Sequence, residues 1–263
     1  MISGVSTTTL SQIYKKQSNE YGKVLETIAS GAKFNKPSDD FISYMRTNTE
    51  ESAMKSYQRS NEDLARAKEA ATTATSVGNA ALDSLSELKE LVSTYKSTTD
   101  ASEKAVLEQK FNDTRDAMIK TFADNTYGSK SIVGADIVEV SINPNDPTKK
   151  MNLSLDGVDP TADLAASKLK INDAAIDTNM AAAFDSVAKY TATAEGFNSA
   201  VNRQLTINQN IMAAKETTIS AVRDIDDIAA IGKATALEIR QQASLSMIAQ
   251  ANISQAGLVK LFS

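Results

Sequence analysis

The stretch from residue 64 to residue 95 reads LARAKEAATTATSVGNAALDSLSELKELVSTY, and it decides the fold class. Its small and apolar residues recur at alternating steps of three and four: Leu64, Ala67, Ala71, Ala74, Gly78, Ala81, Leu85, Leu88, Val92 and Tyr95. This spacing is the heptad pattern of a long helix that packs along one face against another helix. The sequence therefore predicts a mainly α protein built as a long, coiled-coil-like helical bundle.

A second row with the same steps lies in the carboxy-terminal half of the chain. Its members are Tyr190, Thr193, Phe197, Ala200, Gln204, Ile207, Ile211, Ala214, Thr218, Ala221, Ile225 and Ile228. Gln204 and Thr218 interrupt it with polar side chains, and two interpretations stay open. Either these residues specify the register of the helices at some cost in stability, or they are tolerated because they are partly exposed.

Two further helices are predicted in the first half of the chain. One covers Ser102 to about Asp124, is capped by Thr99 or Asp100, and has an apolar side formed by Val106, Leu107, Phe111, Met118, Ile119 and Phe122. The other is amino-terminal and ends near Ser30 and Gly31, because a glycine there can adopt the left-handed conformation that closes a helix.

The segment at about 132–158 breaks the helical pattern. A β-branched run over 137–142 is followed by an alternating run over 151–155, with two prolines between them. This order predicts a small β-hairpin. A hairpin of this size is not stable alone in water, so we expect it to lie against the helices.

Composition excludes several classes of function. The 263 residues contain no cysteine and no histidine, which removes thiolate chemistry, most transition-metal sites and every histidine-dependent catalytic triad. The net charge of −5 argues against nucleic acid as a partner. No apolar run is long enough for membrane insertion. We therefore expect no catalytic, cofactor-binding or metal-binding residues and no enzyme activity.

Two acidic groups need a separate interpretation. Asp39 and Asp40 precede a predicted helix. A carboxylate at this position caps the start of the helix far more often than it acts as a catalytic acid or base. Asp224, Asp226 and Asp227 lack the glycine and the closing glutamate of a calcium-binding loop, so a solvated surface is expected there.

The two ends of the chain carry the candidate assembly interface. Each terminal helix has an apolar row that it cannot bury alone, and the two are expected to pair. Either they complete one monomeric bundle, or they become ordered only on assembly against neighbouring copies. The candidate interface residues are Leu10, Ile13, Gln17, Tyr21, Val24, Ile28, Leu237, Leu245, Ile248, Leu258 and Leu261. The predicted domains are 1–42 with 224–263 for assembly, and 43–223 for the bundle core.

The terminal segments resemble those of bacterial flagellins. Residues 25–40 read LETIASGAKFNKPSDD and residues 241–252 read QQASLSMIAQAN, and both are similar to the flagellin termini in order and position. Residues 223–226, RDID, resemble the element that precedes the carboxy-terminal segment. The resemblance implies a short flagellin without variable outer domains, whose terminal helices pair as the inner tube of a filament.

Several expectations follow from that resemblance. It implies a structural subunit that self-assembles into the helical flagellar filament used for swimming. It also implies type III export without a cleaved signal, an extracellular location, and an export chaperone, junction proteins and cap proteins as partners. Two alternatives stay open. Pro37 is more typical of the hook–filament junction adaptor protein, and a generic secreted coiled-coil protein would share the helical pattern.

A further expectation concerns the innate immune receptor that recognises flagellin. The segment 85–92, LSELKELV, stands where many flagellins carry an arginine-containing motif. Glu87 stands where that arginine would be, and both Glu87 and Glu90 fall outside the apolar row, so they are expected to face outward. The resemblance therefore implies weak activation of the receptor.

Overall fold

The computed structural model describes residues 7–133, 137–144, 146, 148–155 and 159–262, with side chains described for residues 8–254 of those ranges. The elements are α1 (Thr7–Ser30), α2 (Phe41–Ser97), α3 (Ala101–Asp124), β1 (Thr126–Tyr127), β2 (Lys130–Ser131), β3 (Val138–Ser141), β4 (Lys150–Leu153), α4 (Thr161–Leu164), α5 (Ile176–Arg223) and α6 (Asp227–Phe262). The prediction of a mainly α fold with a small hairpin is confirmed. Helix α4 and the β1–β2 pair were not predicted.

The chain forms two compact units. The first comprises Met1–Ser52 and Ala214–Ser263, and the second comprises Ala53–Ala213. The first unit extends ten residues further than predicted from each end, to 52 rather than 42 and from 214 rather than 224. Ion pairs explain the difference, because Lys215 Nζ lies 2.7 Å from Glu50 Oε2 and Arg223 Nη1 lies 3.0 Å from Glu51 Oε1. The first turns of α2 are thereby joined to the last turns of α5.

In the second unit the core runs along α2, α3 and α5. The predicted row on α2 is confirmed from Leu64 to Val92, and Tyr95 at its end is half-buried. Helix α3 starts at the predicted Asp100 cap, whose Oδ1 accepts from the backbone N–H groups of Ser102 and Glu103. Its apolar side contributes Phe111, Met118 and Phe122 to the core.

Several predicted core positions are wrong. In the second row, Thr193, Ala214, Ala221 and Ile228 are exposed. Ile207 on α5 is 49% exposed, because the buried row passes instead through Val201 and Asn208. The polar residue Asn208 occupies the core position at this point. A row built from apolar residues alone therefore passed through the neighbouring Ile207. Val106 on α3 is also exposed rather than buried.

The predicted hairpin is confirmed as the antiparallel pair β3–β4. Val138 pairs with Leu153 and Ser141 pairs with Lys150. The hairpin packs against the helices as expected, since Val140 belongs to a buried cluster with Leu64 of α2 and Val201 of α5, together with Ala67. Parts of the predicted segment, at 134–136, 145, 147 and 156–158, lie outside the described residues.

Candidate assembly interface

Helices α1 and α6 of the first unit pack against each other in antiparallel fashion. Val24 of α1 is buried against Ala234 and Leu237 of α6, and Tyr21 and Ile28 pack beside them. One face of α1 is thus covered by α6, and one face of α6 is covered by α1. The terminal helices therefore have a partner within their own chain, as the predicted pairing requires.

The chain connections hold the ends of this pair together. Gly31 ends α1 with φ +69°, as predicted, and Lys33 donates its backbone N–H to the Arg223 carbonyl at 2.6 Å. Ile225 returns a bond of 3.2 Å from its N–H to the Gly31 carbonyl. These bonds join the turn after α1 to the turn before α6. They therefore fix the end of α1 next to the start of α6.

The acidic residues of these turns have structural roles. The backbone N–H groups of Asn35 and Lys36 donate to Asp39 and hold the pKa of that carboxyl below its ordinary value. Hydrogen bonds from Ser43 likewise lower the pKa of Asp40, which caps α2. Asp226 caps α6 by accepting from the Ala229 N–H at 3.1 Å.

No metal centre is found within the described parts of the chain, where no group of three or more His, Cys, Asp or Glu side chains is placed to hold an ion. A cleft of about 490 Å³ lies along α1, the turn after it and the start of α6. Its charged lining mixes both signs: Glu20, Lys23, Glu26, Lys33, Asp39, Asp226 and Lys233. This mixture gives the cleft no preference for an anion or a cation. Among the described helices, none is both long and apolar enough to span a bilayer.

Helix α6 is apolar on two opposite faces. Leu237 is 3% exposed in the contact with α1, whereas Ile239 is 62% exposed. Two residues turn an α-helix by about 200°, so Ile239 points away from that contact. Ile228 and Ile253 lie on the same outer side and are exposed as well. In one chain, this second face has nothing described against it that buries it.

The predicted interface residues differ in how far they are buried. Val24 and Leu237 are buried in the α1–α6 contact, and Leu10, Gln17, Tyr21, Ile28 and Ile248 are half-buried. Ile13 and Leu245 are exposed. The side chains of Leu258 and Leu261 lie outside the described residues. The prediction missed Ile239, although its offset of two residues from Leu237 is a readable signal.

Glu87 and Glu90 both face outward on α2, as their place beside the buried Leu88 predicts. Glu87 is not an isolated charge, because its Oε1 lies 3.1 Å from Lys110 Nζ on α3. These residues belong to the second unit and take no part in the α1–α6 contact.

Comparison with known proteins adds no family assignment. The sequence matches no protein-family model, and a search of curated proteins finds no significant relative.

Proposed function

We propose that this chain is a flagellin-like structural subunit that self-assembles into a helical filament for swimming motility. The observation that supports the proposal is the second apolar face of α6. Ile228, Ile239 and Ile253 are exposed on one side of α6, and exposed apolar side chains that share one face mark sites of association. Burying one isoleucine there contributes about 1.5–3 kcal/mol, so a row of them favours a partner strongly.

A second copy of the chain is the proposed partner. Contacts between unlike surfaces of successive copies do not close on themselves, and they generate an open helical filament. The resemblance of the chain ends to flagellin termini supports the same conclusion. The proposal includes type III export, an extracellular location in the bacterial flagellum, and contacts with an export chaperone, junction proteins and cap proteins. It assigns the chain a mechanical role and no catalytic, nucleic-acid-binding or membrane-inserted one.

Substitution of the outer face of α6 tests the proposal. The wild-type chain and an Ile239→Asp variant are compared by negative-stain electron microscopy and sedimentation under polymerising conditions. We expect micrometre-scale filaments from the wild type and a helical monomer from the variant, because a buried, unpaired carboxylate opposes association. Val106→Asp provides a matched control at an exposed apolar residue of α3. Filaments from Ile239→Asp, or none from the wild type, would contradict the proposal.

The hook–filament junction adaptor is the second candidate, favoured by Pro37 in the turn between α1 and α2. An adaptor makes the same kind of contacts in one short ring. Short rings or small oligomers that do not lengthen with protein concentration would favour it over the filament subunit.

A further inference from the structure

A hydrogen-bonded cluster of polar side chains lies between α2 and α5 in the second unit. We call Ser60, Asn61, Gln204 and Asn208 the polar cluster. Asn208 is 0% exposed. Its Nδ2 donates to Asn61 Oδ1 at 2.9 Å and to Ser60 Oγ at 3.5 Å, and its Oδ1 accepts from Gln204 Nε2 at 3.0 Å. The buried amide is therefore satisfied only where these residues of the two helices meet.

The hairpin is bonded to the same cluster from both helices. Ser60 Oγ of α2 donates to the Ser141 carbonyl at 2.9 Å. Gln204 Nε2 of α5 donates to the Ile142 carbonyl at 3.2 Å. The two acceptors are consecutive residues at the end of β3, so each helix holds one of two adjacent carbonyls.

A notch further along the helices matches the cluster. Gly78, the single glycine of α2, faces Thr191 of α5, and a Cβ atom at residue 78 would lie 3.2 Å from Thr191 Cβ. From Asn61 to Gly78 is seventeen residues forward on α2, and from Asn208 to Thr191 is seventeen residues back on α5. The polar cluster and the notch therefore specify one and the same antiparallel register.

Few large side chains mark the register on the surface between these two points. On α2 it carries the small side chains of Ala67, Ala71 and Ala74, and on α5 that of Ala194. Its larger buried side chains are Leu64 of α2 and Val201 of α5. A heptad row of alanines fits an opposing helix nearly as well after a slip of one heptad. Such a slip moves the helices about 10 Å along their axis, from a rise of about 1.5 Å per residue.

We propose that the β3–β4 hairpin is a clasp that docks only when α2 and α5 are in the native register. A slip of one heptad would separate Ser60 from Gln204 by about 10 Å along the axis. Adjacent carbonyls of a strand lie only about 3.4 Å apart along it, so the hairpin cannot reach both donors after the slip. Closure of the hairpin thus reports the register of the two longest helices. This inference goes beyond the proposed function and holds whether or not the chain polymerises.

Spin labels test the register directly. The chain lacks cysteine, so single cysteines at the exposed residues Lys68 and Arg203 give a specific label pair across α2 and α5. In the wild type we expect one distance population by pulsed electron spin resonance. In Asn208→Leu, and in the double variant Asn61→Leu with Asn208→Leu that leaves neither amide orphaned, we expect a second population displaced by a heptad slip. Asn202→Leu, at an exposed residue of the same helix, is the matched control and keeps one population.

Amide hydrogen exchange tests the clasp in the same variants. The Ile142 N–H, bonded to the Lys149 carbonyl at 3.0 Å, and the Ile137 N–H, bonded to the Leu153 carbonyl at 2.8 Å, report hairpin closure. We expect exchange at both to accelerate at least tenfold in the two cluster variants and to stay unchanged in Asn202→Leu. A single register in both cluster variants overturns the proposal, even if their melting temperatures fall. If a second register appears but the hairpin amides exchange at the wild-type rate, the hairpin does not depend on the register and the proposal is wrong. If the double variant unfolds, the polar cluster contributes to stability and not to the choice of register, which also contradicts the proposal.

Discussion

Ser244 of α6 donates a hydrogen bond of 2.9 Å from its Oγ to Gln17 Oε1 of α1, across 227 residues of sequence. Ser244 is buried, although serine is a weak signal of a core position. The bond extends the α1–α6 contact beyond its apolar centre at Val24 and Leu237. The pairing of the chain ends therefore combines apolar burial with a matched polar contact.

Truncation of the buried side of α6 is expected to destabilise the paired helices. Leu237→Ala removes a buried side chain and leaves a cavity, at a cost of about 2–5 kcal/mol in the free energy of unfolding of this unit. Ile239→Ala removes a side chain from the exposed face and changes that free energy by about 0.5 kcal/mol or less. Urea unfolding of the monomer, followed by circular dichroism, measures both. Equal losses would contradict the two-faced description of α6.

A methyl group at Gly78 is expected to overpack the α2–α5 contact. Gly78→Ala places its Cβ against Thr191 and Tyr190, and such overpacking costs typically about 1–3 kcal/mol; Gly78→Leu adds more bulk at the same point. Gly196→Ala is the matched control, since nothing lies within 4 Å of a Cβ there and alanine favours the helix by about 0.5–1 kcal/mol. Thermal melts are expected to shift in opposite directions. A higher melting temperature for Gly78→Ala would show that the helices separate easily at this point.

Features with a local cause could be predicted from the sequence. Three such features are the α2 row, the Asp100 cap and the left-handed conformation of Gly31. Each depends on a few neighbouring residues, and those residue types usually form the same local structure. The hairpin was recognisable for the same reason, because its apolar residues alternate.

Features that depend on distant partners could not be predicted. Asn208 can be buried because Ser60, Asn61 and Gln204 form hydrogen bonds with its amide. The residues next to Asn208 in sequence do not indicate that these partners will lie beside it. Arg115 is another case, since its Nη1 donates to the Leu169 carbonyl at 2.9 Å in a buried position. For the candidate interface, the sequence identified apolar rows on both terminal helices. It did not separate the face of α6 that α1 covers from the face that stays exposed.

Removal of the terminal helices is expected to abolish assembly. A chain that begins at Asn35 and ends at Arg223 lacks both α1 and α6, and with them the exposed isoleucines of the candidate interface. We expect it to be soluble, helical and monomeric by sedimentation under conditions in which the full chain forms filaments. Polymerisation of the truncated chain would place the assembly contacts elsewhere.

The pH dependence of stability is expected to include a contribution from Asp163. Lys168 Nζ donates to its carboxylate at 2.6 Å and Ser186 Oγ donates to it as well, and these bonds lower the pKa of Asp163 from 3.8. A lowered folded-state pKa adds stability above the unfolded pKa, and that stability is lost as the pH falls through the folded value. Asp163→Asn is therefore expected to be less stable than the wild type at pH 7 and to approach it below pH of about 4.

Urea unfolding at several pH values between 7 and 3 measures this difference. Asp113→Asn, at an exposed residue of α3, is the control and is expected to follow the wild type throughout. A difference between Asp163→Asn and the wild type that stays constant down to pH 3 would mean that the charge of Asp163 does not contribute.

Recognition by the innate immune receptor for flagellin is expected to be weak, and this prediction depends on the proposed function. Glu87 stands on the exposed side of α2 where the resemblance places an arginine, and an unfavourable charge in an interface costs several kcal/mol. Because Glu87 pairs with Lys110, Glu87→Arg alone would bring two cations together. The variant Glu87→Arg with Lys110→Glu reverses the pair and keeps it intact. In a receptor-reporter cell assay, we expect a low signal from the wild type and a higher one from the double variant, while Lys110→Glu alone gives no gain. Strong signalling by the wild type, or no gain from a folded double variant, would rule out Glu87 as the cause.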